Sequence, residues 1–100
     1  MKIRILQSAQ EDLVNGYHFY ESQKNGLGVY FLDTLFSDID SLQLYAGIHP
    51  IFFKKYHRML SKRFPFSIYY HPDESTIIVV AVLDCRHRPA WIKVRIKSHP

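Results

Sequence analysis

Arg86 and His87 stand side by side just after the most apolar run of the chain, and Arg58 lies in a basic stretch before it. These residue types can handle a phosphodiester. Cleavage of RNA through its own 2′-hydroxyl needs a base, a cation beside the crowded phosphorus and an acid for the departing oxygen. Arginine and lysine supply the cation, and an imidazole that titrates near neutral pH supplies the acid or the base. Arg86, His87 and Arg58 are therefore the candidate catalytic residues for such a reaction. Lys54, Lys55, Arg63, Arg86, Arg88 and Arg95 are the candidate contacts to a nucleic acid or another target.

Each candidate has an ordinary structural alternative. Lys54 and Lys55 are equally suited to discouraging edge-to-edge strand pairing. Arg58 can stack on Tyr56 or Tyr70. Arg86 can pair with Asp84 or cap a following helix. His57 and His71 read as surface or half-buried strand histidines, and Trp91 as a core residue. Cys85 beside His87 resembles a thiol with its base, but neighbours on a strand point to opposite faces and no third group is evident. Tyr69 can stack on a base if its side of a sheet is open, although a cross-strand aromatic pair is the commoner outcome.

Composition narrows the field. The 100 residues, 47% hydrophobic and 15% aromatic, suit one domain with a real core. The longest apolar run, Ile77 to Leu83, is far shorter than the roughly 20 residues of a membrane helix. The start, MKIRILQ, lacks the apolar region of a signal peptide, so a cytoplasmic protein is expected. A single cysteine excludes an intrachain disulfide and a zinc site built on several thiolates, and no metal or cofactor is expected. Charge is divided unevenly. Residues 1–51 hold three basic and six acidic side chains, net −3, whereas residues 52–100 hold ten basic and three acidic, net +7. Such a basic half favours a polyanionic partner, nucleic acid or acidic protein.

The elements that must position these residues follow from pattern. Lys2 to Leu6 alternates as a short strand. Ser8-Ala9-Gln10-Glu11 has the form of a capping box, predicting a helix that begins at Ser8 and places Ala9, Leu13, Tyr17 and Tyr20 on one face, with Gly16 weakening it. Asn25-Gly26-Leu27-Gly28 is a turn, and a second helix over 29–44 buries Phe31, Leu35, Ile39 and Leu42, widened by Leu32 and Phe36. Three strand runs follow: Phe52 to Leu60, Phe64 to His71 and Thr76 to Leu83, the last apolar on both faces and therefore interior. In the first run Lys54, Tyr56 and Arg58 share one face. Pro89 opens a terminal helix with Trp91, Val94 and Arg95 toward the inside. The fold class is α+β, a helix hairpin on one face of a mainly antiparallel sheet of about four strands.

This order, with Lys55-Tyr56-His57-Arg58-Met59-Leu60, Arg63-Phe64-Pro65-Phe66-Ser67-Ile68-Tyr69-Tyr70 and Ile78 to Trp91 as its most telling stretches, resembles the RelE/ParE superfamily of type II toxin–antitoxin systems across nearly the whole chain. The resemblance implies a growth-inhibiting toxin that forms a hetero-oligomer with a cognate antitoxin. It also implies one of two activities. RelE-like members cleave mRNA in the ribosome, using basic residues and often a tyrosine near the C-terminus. ParE-like members are associated with inhibition of DNA gyrase. No tyrosine follows Tyr70, which tilts the expectation toward the ParE-like, non-nuclease branch, with the ribosome-dependent endoribonuclease as the alternative.

Overall fold

The computed structural model describes residues 1–97. Strand β1 (Lys2–Ile5) leads into helix α1 (Gln7–Glu21), α2 (Leu27–Asp40) and the single turn α3 (Leu42–Tyr45); then come β2 (Ile51–Phe53), β3 (Tyr56–Leu60), β4 (Phe66–Asp73), β5 (Thr76–Asp84) and α4 (Pro89–Lys97). The strands form one sheet in the order β1-β5-β4-β3-β2. β1 runs parallel to β5, and every other pairing is antiparallel. The α+β class and the helix hairpin are as expected, but the sheet has five strands rather than about four. The difference lies at Lys54, whose φ of 52° turns the backbone into the left-handed region and splits the run Phe52–Leu60 into β2 and β3. Lys54 and Lys55 therefore sit in a turn, and of the set expected on one strand face only Tyr56 and Arg58 share it.

The interior position of β5 explains its apolar sequence. Its first half is hydrogen-bonded on both sides, by β1 and β4, and both of its faces are covered. On one face the hairpin α1–α2 contributes Ala9, Leu13, Phe31, Leu35 and Ile39 against Ile68, Tyr70, Ile77 and Val79. All four residues of the expected α2 stripe are buried, while Phe36 is exposed and Leu32 half-buried. Gly16, expected only to weaken α1, has a packing role: a Cβ there would come within 2.4 Å of the Phe31 ring. The hairpin loop is held by the Glu21 carboxylate, which accepts from the amides of Gly26 and Gly28.

The other face is covered by α4, which seats Ile92 and Ile96 on Tyr69, Val80, Ala81 and Leu83. A β-bulge permits this. Tyr69 pairs with Ala81 and Tyr70 with Val79, so Val80 is an extra residue and both Val80 and Ala81 join the α4 side. The orientation of α4 corrects the expectation: Trp91 is 46% and Val94 67% exposed, because the i, i+4 pair Ile92 and Ile96 fills the sheet. Burying each isoleucine stabilises the chain by about 1.5–3 kcal/mol.

The capping box is also overturned. Helix α1 starts at Gln7 with Leu6 as its cap residue and no side-chain cap. Ser8 is used elsewhere, its hydroxyl donating to the Val80 carbonyl at 3.2 Å. Two residues further along β5, the Asp12 carboxylate accepts from the Val82 amide at 3.0 Å. These side chains replace the strand partner that β5 loses where β1 ends, since unpaired backbone groups there would be costly to bury. The second helix likewise ends earlier than expected, at Asp40, where the Ser41 hydroxyl turns back to the Asp38 carbonyl.

Candidate functional site

The candidate basic residues fall into four places. At the end of β5, Asp84 folds back on Arg86: its carboxylate accepts from both the Arg86 backbone amide, at 2.8 Å, and the guanidinium Nε, at 2.9 Å. That hydrogen bonding to Arg86, only partly opposed by burial, holds the Asp84 carboxyl below its ordinary range and raises Arg86 in turn. His87 stacks on Trp91 with ring centres 3.9 Å apart and 22° between planes. Arg86, His87 and Trp91 line a shallow pocket of about 290 Å³ with Asp12, Phe19 and Asp84. Arg88 is exposed just before α4.

The second place is the turn between β2 and β3 with the outer side of α4. Lys54, Lys93 and Lys97 each place their ammonium 5.4–5.5 Å from the centre of the Phe53 ring. Lys55 lies over Tyr56, and Arg58 over Phe52 rather than over Tyr56 or Tyr70. Arg58 opposes Tyr69 across the sheet. Tyr69 is 0% exposed and meets Phe52, two strands away, edge to face, so it is a core aromatic and offers no surface for a base.

Arg63 is exposed in the turn between β3 and β4, beside a small depression shared with Tyr30, Asp33 and Lys62. Arg95 is held inward: its guanidinium reaches the Asp12 carboxylate at 2.7 Å and donates to the Ser8 carbonyl at 3.1 Å. It locks α4 to α1. Burial pushes the Asp12 carboxyl above its ordinary range, against the pull of the Val82 amide and Arg95. Of the three candidate catalytic residues, Arg86 and His87 share one concavity and Arg58 lines another.

Two further features lie on the β2 side of the sheet. A groove of about 570 Å³ runs beside the open edge of β2, with Tyr45, Ile48, Ile51 and Leu60 exposed along it and Met59 at its floor. Next to it the buried Tyr70 hydroxyl accepts from the Gly47 amide at 2.9 Å and bonds His49 Nδ1 at 2.6 Å, while His57 stacks on the Tyr70 ring. Burial, helped by the charge of His57, lowers the pKa of His49. His57 is thus half-buried, as expected, and its Nδ1 bonds the His49 carbonyl at 2.7 Å. Neighbouring residues did not predict this cluster because its members come from a loop and two strands.

Among the described residues no three His, Cys, Asp or Glu side chains are grouped to hold a metal ion, and no helix is long and apolar enough to cross a membrane. No family model and no curated protein matches the sequence. A solved structure does match: a chain of the chromosomal ParDE TA system from P. aeruginosa superposes with a TM-score of 0.73 over 82% of this chain and 92% of that one, at 18% identity. The strand, helix hairpin and sheet described above therefore share the fold of that chain.

Proposed function

We propose that this chain is the toxin of a type II toxin–antitoxin pair, of the ParE-like kind, that arrests growth by binding a protein target such as DNA gyrase in the cytoplasm. The observation that carries the reading is the fold shared with the ParDE structure over most of both chains. The non-nuclease branch is supported by the arrangement of the candidate catalytic groups. Arg58 lines a different concavity from Arg86 and His87, Arg86 is engaged by Asp84, and the His87 ring is covered on one side by Trp91. A base, a cation and an acid for phosphodiester cleavage need to converge on one phosphorus.

The cognate antitoxin finds a natural seat on the groove beside β2. An open strand edge offers backbone hydrogen bonds to an added segment, and exposed Ile48, Ile51 and Leu60 offer apolar contacts. In this reading the target contacts are Arg86, Arg88 and Arg63, with Lys54 and Lys55 in the β2–β3 turn.

The test is induction of the chain in a sensitive bacterial host, with growth followed, mRNA termini mapped within minutes and purified gyrase assayed for supercoiling, each beside Arg86→Ala. Growth arrest with intact transcripts and blocked supercoiling is expected. Arrest with new codon-linked RNA ends would assign the chain to the ribosome-dependent nucleases instead.

A further inference from the structure

We propose that the lysines gathered around Phe53 form a clamp for the phosphodiester backbone of a nucleic acid. Lys54 comes from the turn after β2, whereas Lys93 and Lys97 come from one side of α4, so the clamp exists only once the helix has docked on the sheet. All three ammonium groups lie within 5.5 Å of one ring centre, which leaves no two of them more than about 11 Å apart, within a Debye length at salt below about 0.1 M. No carboxylate pairs with any of them among the described residues, where the two ion pairs are Arg86 with Asp84 and Arg95 with Asp12. Three like charges held this close repel one another in the free protein, and a dense line of negative charge removes the repulsion.

A phosphate backbone fits this surface better than an acidic peptide. Duplex DNA carries one negative charge per about 1.7 Å of axis and releases condensed counterions when lysines replace them. The clamp is built from lysines, which bind phosphates as point charges and so need no particular orientation of the backbone they meet. The aromatic ring fixes their positions in place of acidic partners, leaving the full charge available. Lys55 over Tyr56 extends the same arrangement. The inference deepens the toxin reading by giving the protein a grip on the nucleic acid that accompanies its target, but the binding it asserts does not depend on toxicity.

The experiment measures binding of the full chain to a fluorescein-labelled 20-base-pair DNA duplex and to an RNA strand of the same sequence, by anisotropy, between 50 and 200 mM salt. Neutralising three phosphates predicts a slope of log affinity against log salt near −2.7 for the duplex, a loss of roughly 40-fold across that range. Lys54→Gln, Lys93→Gln and Lys97→Gln together should remove most of that slope and weaken binding at 50 mM salt roughly tenfold or more. A variant with the same charge change elsewhere, Lys2→Gln, Arg4→Gln and Lys24→Gln, should keep the slope, and equal denaturation midpoints establish that both variants fold. Tighter binding of one probe identifies DNA or RNA as the source of the phosphates. Equal loss in the two variants would reduce the effect to net charge and overturn the clamp. Displacement of the probe by polyglutamate at equal charge concentration would overturn it in favour of an acidic protein segment, and absence of binding at 50 mM salt would overturn it outright. None of these results alters the outcome of the growth assay.

Discussion

The two faces of the sheet are built from different material. Under the hairpin α1–α2 the contacts are mainly aromatic and aliphatic, with Phe31 touching the rings of Tyr20, Phe64 and Phe66, while the buried Asp38 carboxylate accepts from the Ser61 hydroxyl and the Lys62 amide. Under α4 the apolar layer is thin, two isoleucines on a bulged strand, and its borders are ionic: Arg95 with Asp12 on one side, lysines around Phe53 on the other. The first face stabilises the fold. The second presents charge, and its geometry depends on side chains that reach across it.

Substitutions can test that division. The largest effect is expected for Phe31→Ala, at about 3–5 kcal/mol by chemical denaturation, because a large ring is removed from a closed aromatic cluster. Ile96→Ala should cost less, about 2–3 kcal/mol, since α4 can settle toward the sheet. If the two costs are equal, the faces do not differ in the way described. Next comes Asp12→Ala, expected at about 1–3 kcal/mol because the Val82 amide and the Arg95 guanidinium both lose their acceptor. A double-mutant cycle with Arg95→Met should return a coupling above roughly 0.5 kcal/mol; additivity would mean that α4 is not locked through this pair.

A smaller effect belongs to the edge beside β2. The folded state lowers the pKa of His49 from its ordinary 6.5, so the unfolded chain takes up a proton first. Its contribution to stability is therefore present above pH 6.5 and declines as pH falls from there through the folded value. Denaturation midpoints at pH 7.5 and 5.5 should show this drop, and His49→Gln should flatten it; an unchanged slope would remove His49 as the cause. The smallest effect is expected for Val94→Ala, within about 0.5 kcal/mol, because this side chain faces water. A cost near 1 kcal/mol would restore the inward orientation that its sequence position suggested.

Legibility from the sequence divides along the same line. The hairpin face could be read because a helical period marks its buried residues, and Phe31, Leu35, Ile39 and Leu42 lie where that period puts them. The interior place of β5 could be read from its uninterrupted apolar run. What failed was local signal contradicted by distant partners. Ser8 looked like a helix cap but serves a strand 72 positions away, and a left-handed Lys54 has no composition to announce it. In α4 the alternation of Trp91, Val94 and Arg95 with Ile92 and Ile96 leaves the inner side ambiguous until the bulge at Val80 is known. The candidate site was legible as a set of basic residues and not as an arrangement, since Arg95 turned inward to Asp12 and Lys93 and Lys97 converged unforeseen on Phe53.

The lock between Asp12 and Arg95 also fixes a timetable. Its partners are 83 positions apart, and β1 likewise waits for β5, with Lys2 opposite Thr76. At about 5–20 residues per second, a ribosome takes roughly 4–17 s to travel from the codon of one partner to that of the other. Until β5 and α4 have followed, the apolar faces of α1 and α2 have no sheet to cover and the charged surfaces on α4 do not exist. The nascent chain thus lacks its charged face until α4 has been synthesised.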